Sequence, residues 1–149
     1  MSPDFSELLR EFNAHEVEYL VVGAHALAAH GHVRATKDLD VWVHATRDNA
    51  RRVLQALSAY GVPLDDVTEE DFAAGSATVF QIGIPPLRID VITSVDGLEF
   101  SNAWANRFET QFGGMPAFVL SKSDLIKNKK AAGRLQDLAD AEALEASPA

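Results

Sequence analysis

The 149-residue sequence contains no cysteine, and that absence removes several chemistries at once. Disulfides, thiolate metal centres and a cysteine nucleophile are all excluded. No apolar run approaches the roughly twenty residues needed to cross a bilayer, so no membrane segment is expected. The opening, MSPDFSELLREF, lacks the basic start and apolar stretch of a secretory signal, which makes a cytoplasmic protein the expectation. Basic residues are scarce: 13 Lys and Arg stand against 22 Asp and Glu, a formal net charge of −9. A protein that reads DNA sequence normally turns a basic face to phosphate, so that class is disfavoured. The same acidity suits a site that gathers carboxylates around cations, although most of it serves solubility. There is no internal repeat and no low-complexity segment.

Apolar residues make up 47% of the chain, enough for one core, so residues 1–149 are read as a single domain. Its core is expected over about 19–120, with a short helical C-terminal segment over 121–144. Ser2-Pro3-Asp4 is a helix start, and Phe5, Leu8, Leu9 and Phe12 follow at the spacing of one buried stripe. EYLVVG reads as a buried strand stopped by Gly23, AHALAAH as a short helix, and DLDVWV as a second strand. Thr46 caps a third helix. A polar stretch with a helical turn follows. TVFQIG and LRIDVIT then read as a hairpin bent at Ile84-Pro85-Pro86, and FETQF and MPAFVL as a second one turned at Gly113-Gly114. EFSNAWANR reads as a short helix between them. A helix capped at Ser121 and a last one over Asp137 to Leu144 close the chain, with a fraying tail, EASPA. The fold class is α/β (α+β): a mixed β-sheet with helices packed on it.

The stretch VVGAHALAAHGHVRATKDLDVWV, Val21 to Val43, carries the chemistry. Strand side chains alternate, so Asp38 and Asp40 share one face with Leu39 opposite. Two carboxylates that close repel unless a cation separates them, and a hard divalent ion such as Mg²⁺ resolves the conflict. The bland alternative is two solvated acids at a strand start, and for an isolated D-x-D that alternative is the better one. Gly23 sits where a strand turns into a helix, and unpaired backbone N–H groups at such a turn can bind phosphate. In LRIDVI, Arg88, Asp90 and Ile92 share a face, which makes Asp90 a third candidate carboxylate.

Together these residues resemble the signature of the polymerase-β-type nucleotidyltransferase superfamily: an apolar strand, a Gly turn, a short helix, an acid pair on a strand and a later acid on a neighbouring strand. HGHVRATKDLDVWV with LSKSDLIKNKKAAGRLQDLADAEAL is similar to small prokaryotic members of the minimal-nucleotidyltransferase and abortive-infection toxin type. The resemblance spans roughly Tyr19 to Leu144 and implies a nucleotidyltransferase-like fold. It implies that Gly23 and Ala24 cradle the nucleotide phosphates, that Asp38 and Asp40 are the metal-binding pair, and that Asp90 is the third metal-binding and catalytic carboxylate. Mg²⁺ or Mn²⁺ is then the cofactor and an NTP, first of all ATP, the substrate. The acceptor would be a hydroxyl on a protein, a tRNA end or a small molecule, within a toxin–antitoxin type of system. Ala24 departs from the family's Gly or Ser and leaves no side-chain hydroxyl for the phosphates.

Arg34 and Lys37 lie between the turn and the acid pair, open either to a triphosphate or to pairing with aspartates. His25, His30 and His32 are poorly spaced for one ion, and zinc is not expected. His30 is expected to bond backbone and Thr36 to support its loop. Arg134 and Asp137 are read as a brace, while Lys129 is kept as a nucleotide-binding candidate or part of a basic lobe. Trp42 and Trp104 read as core. Two other classes stay open: a non-catalytic nucleotide- or partner-binding module, supported by Ala24, and a protein that binds a partner through Phe100 to Phe112.

Overall fold

The computed structural model of the chain describes residues 2–75, 77–83 and 87–148. The first helix, α1 (Pro3–Ala14), starts as its sequence dictates: Ser2 Oγ accepts from Asp4 N at 3.3 Å, and Pro3 occupies the first turn, where no N–H is needed. Phe5, Leu8, Leu9 and Phe12 are buried on its inner face. β1 (Tyr19–Val22) is buried at every residue, so both faces of the sheet are covered at its centre. Then come α2 (Gly23–Ala29), β2 (Asp38–Val43) and α3 (Arg47–Tyr60). In α3 the Thr46 hydroxyl accepts from Asn49 N at 3.2 Å, and Gly61 ends the helix at φ 105°, a conformation that glycine adopts without strain. The side chain of Asn49, almost wholly buried, donates to Glu18 O and His44 O and accepts from Glu18 N. One amide thus ties α3 to the entry of β1 and the exit of β2.

A 3₁₀ turn over Glu69–Phe72 follows and buries Phe72. β3 (Val79–Ile82) and β4 (Arg88–Ile92) pair antiparallel, as do β5 (Phe108–Phe112) and β6 (Met115–Val119), with α4 (Phe100–Ala105) between the two pairs. The expected bend at Ile84-Pro85-Pro86 lies outside the described residues. Gly113 and Gly114 both take positive φ, the twist that a two-residue hairpin turn requires. The strand order is β3-β4-β2-β1-β6-β5. β2 runs antiparallel to β1 and parallel to β4, and β1 runs parallel to β6. The sheet is therefore mixed, as the order of elements implies.

The C-terminal segment is α5 (Lys122–Ala132) and α6 (Leu135–Ala146). Ser121 caps α5 by accepting from Asp124 N at 3.2 Å. α6 is longer than the apolar spacing indicates. Asp137 accepts from the backbone N–H of Arg134, which moves the helix start forward to Leu135. As far as Pro148 the tail is held, because Lys122 Nζ donates to Ser147 O at 2.9 Å and to Pro148 O at 3.1 Å; Ala149 lies outside the described residues. Among the described residues no helix is long and apolar enough to cross a membrane.

Candidate functional site

β2 and β4 lie side by side, and their parallel register sets Asp38 against Arg88 and Asp40 against Asp90. Alternation sends Leu39, Val41, Ile89 and Val91 into the core and leaves the four charged residues on one face. Three carboxylates from two strands thus converge, with Asp90 only 8% exposed. Burial raises the Asp40 carboxyl to about 6, with the neighbouring charges of Asp90 and Asp38 and a hydrogen bond shared with Asp90 acting in the same sense and Arg88 opposing. The Arg88 guanidinium is the one side-chain cation against this group among the described residues. Its Nη2 lies 3.3 Å from both Asp38 Oδ2 and Asp90 Oδ2. Its Nε is 3.1 Å from Asp90 Oδ1 but off the N–H axis, so neither of those buried atoms has a hydrogen bond. Thr36 Oγ1 accepts from Asp38 N and donates to Asp38 O, both at 3.2 Å, and so pins the entry of β2.

The Gly23 turn closes on Asp40. β1 ends at Val22, which pairs with Asp40, and the chain turns into α2 through Gly23 at φ 68°. A Cβ at Gly23 would run into Asp40 Oδ2 and stand 3.3 Å from its Cγ. Only a glycine lets the turn and the carboxylate approach so closely. Beyond them opens a cleft of about 510 Å³, walled by Gly23 and Asp40 on one side and by the loop Ser94–Gly97 with Asn128, Lys129, Arg134 and Asp137 on the other. Asn128 Nδ2 donates to Asp96 O at 2.9 Å and holds that loop to α5.

The remaining candidates separate. Lys37 is exposed and its side chain has no ion pair or hydrogen bond among the described residues, so its ammonium is free. Ala24 is half-buried in the first turn of α2. Arg34 is not brought to the acid cleft: its guanidinium forms a two-pronged contact with Asp140 of α6, with Nη1 3.1 Å from Oδ2. Lys129 does line the cleft, but its Nζ stands 3.1 Å from Asp140 and 3.4 Å from Asp137. Arg134 braces Asp137 through Nε at 2.6 Å. The Arg134 hydrogen bond lowers the Asp137 carboxyl. For Asp140 burial works upward, but hydrogen bonds from Arg34, Gln136 and Lys129 outweigh it and hold the group at about 2.

The histidines do other work. His25 packs edge-on against Phe5 and Phe112, and His30 Nε2 donates to Leu120 O at 2.8 Å. Among the described residues no three His, Asp or Glu side chains stand in metal-ligating geometry. The guanidinium of Arg88 lies against two of the three acids that would do so. Arg88 carries a role that sequence reading left unassigned. Its signal was its place two residues before Asp90, on the same strand face. Asp140 and the Ser94–Gly97 wall gave no comparable signal.

The fold is shared with solved nucleotidyltransferase-like structures. A candidate nucleotidyltransferase from Thermotoga maritima superposes with a TM-score of 0.61 at 16% identity, over 95% of this chain and 88% of that one. The lincosamide antibiotic adenylyltransferase LnuA, in its lincomycin-bound form, gives 0.56 at 14% identity, over 98% and 97%. An antigenic nucleotidyltransferase-like protein from Paracoccidioides brasiliensis gives 0.54 at 15% identity, over 93% and 72%. At such identities the likeness establishes the fold. No curated protein matches the chain significantly in sequence. One family does, over residues 4–147, nearly the whole chain, and the protein therefore belongs to the family described as nucleotidyltransferases of unknown function (DUF6036).

Proposed function

We propose that the chain is a metal-dependent nucleotidyltransferase that moves a nucleoside monophosphate from an NTP, ATP first among them, to an acceptor hydroxyl. The observation that carries this reading is the convergence of Asp38, Asp40 and Asp90 on one face of β2 and β4, with Asp40 set against the Gly23 turn and lining the cleft. The donor set fits Mg²⁺ or Mn²⁺. It is all carboxylate oxygen, one buried oxygen of Asp90 has no hydrogen bond, and burial together with the neighbouring carboxylates already keeps Asp40 hard to ionise. Asp38 and Asp40 would hold the ion that travels with the triphosphate, and Asp90 the acceptor side. A divalent ion there would neutralise charge on the triphosphate and lower the pKa of the acceptor hydroxyl.

The protein's own groups do the rest. The first N–H groups of α2 have no intrahelical partner and can donate to phosphate oxygens, while Ala24 adds no hydroxyl. Lys37, exposed and adjacent to Asp38, has no side-chain partner among the described residues and can turn to a phosphate. Asp90 takes the proton of the acceptor hydroxyl as that oxygen attacks the α-phosphorus and pyrophosphate leaves. Lys129 reaches the cleft only by sharing its charge with Asp137 and Asp140, so its contribution is to the shape of the wall. A protein or tRNA acceptor in a toxin–antitoxin type of system, and a cytoplasmic setting, are the expectations that accompany this reading. A non-catalytic nucleotide-binding module is the second reading. Arg88 against two of the acids favours it, as does Ala24.

The two are separated by incubating the protein with each labelled NTP, Mg²⁺ or Mn²⁺, and a cell lysate, alongside Asp90→Asn. Transfer of label is expected. Asp90→Asn should bind Mg·NTP within a few-fold of the parent yet transfer about 100-fold more slowly, because its loss is felt mainly in the transition state. Nucleotide binding without transfer to any acceptor would favour the binding module.

A further inference from the structure

A second cavity, of about 410 Å³, opens between α4 and the first turns of α5. Gly97 belongs to its wall and to the wall of the acid cleft. A Cβ at Gly97 would stand 2.5 Å from the Ala131 Cβ, so the loop lies hard against α5 and parts the two hollows. The cavity is polar. α4 presents Glu99 at its N-cap, Asn102 within it and Asn106 at its C-cap, and α5 presents Asp124 and Lys127.

Asp124 is the residue that needs explaining. It is only 7% exposed, and its Oδ2 is buried without a hydrogen bond. An acid in the first turn is favoured by the positive end of its helix, which accounts for its presence but not for its burial. A capping partner would return its carboxylate to the backbone N–H at the cap, as Asp137 does for Arg134 N in α6. In α5 Ser121 Oγ accepts from Asp124 N at 3.2 Å, while Asp124 Oδ2 is left over. Lys127, one turn further along α5, lines the same cavity, but its exposed side chain makes no ion pair with Asp124 among the described residues. A buried carboxylate oxygen without a donor bears its full desolvation cost. The donor it lacks is what a ligand would bring.

The wall says which kind. The strongest donor for a carboxylate withdrawn from water is a cation. One open oxygen calls for a point donor, an ammonium, rather than the two-pronged fork of a guanidinium. Two carboxylates with a lysine beside them do not make a metal cage. Asn102 and Asn106 are exposed carboxamides that can both donate and accept, which suits a hydroxyl or an amide. Glu99, whose side chain makes no cap hydrogen bond, adds a second negative charge at the exposed side. Asp124 and Glu99 against Lys127 leave the cavity negative.

We propose that this cavity binds a small primary ammonium compound carrying a hydroxyl or an amide, with the ammonium on Asp124 and the polar end against Asn102 and Asn106. The site stands apart from the acid cleft and needs neither metal nor nucleotide.

The test uses ethanolamine as probe and ethylene glycol, the same skeleton with a hydroxyl for the ammonium, as control. Each is titrated into the ¹⁵N-labelled full chain at about 0.15 M salt, where loose attraction to the acidic surface is screened. Amide resonances around Asp124, Asn102 and Asn106 should shift and saturate in the millimolar range with ethanolamine and stay in place with ethylene glycol. Asp124→Asn should bind ethanolamine about ten-fold more weakly or worse, having lost the charged acceptor. Asn102→Phe, at an exposed position of α4, should fill the cavity and abolish the shifts; it carries the comparison if Asp124→Asn does not fold. Equal response to the two compounds would overturn the proposal, as would the absence of a saturable shift or a folded variant that binds as the parent does. Shifts centred on Asp40 and Asp90 would place the amine at the acid cleft and overturn it too. The reading of the acid cleft as a nucleotidyltransferase site stands whichever result is found.

Discussion

Two clusters of acid among the described residues are built in opposite ways. Where β2 meets β4 three aspartates have one arginine among them, which touches Asp38 and Asp90 but not Asp40, and Asp40 is pushed up to about 6. At the junction of α5 and α6 two aspartates, Asp137 and Asp140, take Lys129, Arg134 and Arg34 between them, and Asp140 is pulled down to about 2. The first is short of cations and the second has more than it needs. A buried acid short of cations costs stability and persists where something else selects it, whereas a fully paired one can act as a brace. The difference separates a site that waits for a ligand from a joint that is finished in the free protein. Arg34, which sequence position offers to the nucleotide, goes instead to α6, where Asp140 takes both prongs of its guanidinium.

The comparison is broken most directly by removing acids from each cluster. Asp38→Asn with Asp40→Asn should lower nucleotide transfer by about 1,000-fold or more, since both ligands of the triphosphate's ion are gone. It should also abolish the rise in melting temperature on adding Mg²⁺, without loss of stability in its absence. A double variant that responds to Mg²⁺ as the parent does would show that these acids are not the ligands. Asp140→Ala is the converse. It strands Arg34 and Lys129 beside a buried vacancy and should cost about 3 kcal/mol in urea unfolding while leaving Mn²⁺ uptake unchanged. If it instead weakened metal uptake, the two clusters would be one coupled network.

Much of the fold is legible in the sequence because it is local. The caps at Ser2, Thr46 and Ser121, the alternation in DLDVWV and the glycine pair between β5 and β6 each fix an element from a few neighbouring residues. That Asp38 and Asp40 share a face follows from period two alone. What escapes is long-range. The contact of Arg34 with Asp140 spans 106 residues, and no local spacing announces it. The register that sets Arg88 against Asp38 comes from pairing two strands that never meet in sequence. The extension of α6 to Leu135 escapes for a different reason: Asp137 has two candidate roles, helix interior or cap partner, and only the position of Arg134 decides between them.

The smallest expected effect is the sharpest measure of the contrast, because the two clusters should respond to pH with opposite signs. Asp40 has its carboxyl raised in the folded protein, to about 6 from an ordinary value of 3.8. Its contribution to stability is therefore complete below the ordinary value and is lost as pH rises through 6. Asp140, held at about 2, contributes stability that is present above the ordinary value and is lost as pH falls towards 2. In the presence of a chelator, Asp40→Asn should then be more stable than the parent at pH 7.5, by about 1–2 kcal/mol, because an amide cannot ionise beside Asp90 and Asp38. The gap should shrink by pH 4.5 and close only below 3.8, where Asp40 is protonated in the folded and the unfolded chain alike. Below that, parent and variant should weaken together as the Asp140 pairing is lost. Adding Mg²⁺ at pH 7.5 should reverse the order, since the parent gains a ligand that the variant has lost. Thermal unfolding across this range, with chelator and with Mg²⁺, measures all three. A gap at pH 7.5 that persists undiminished at pH 4.5 would mean that the substitution acts through packing against Gly23 rather than through charge, and the acids of β2 and β4 would then be no more strained than those of the brace.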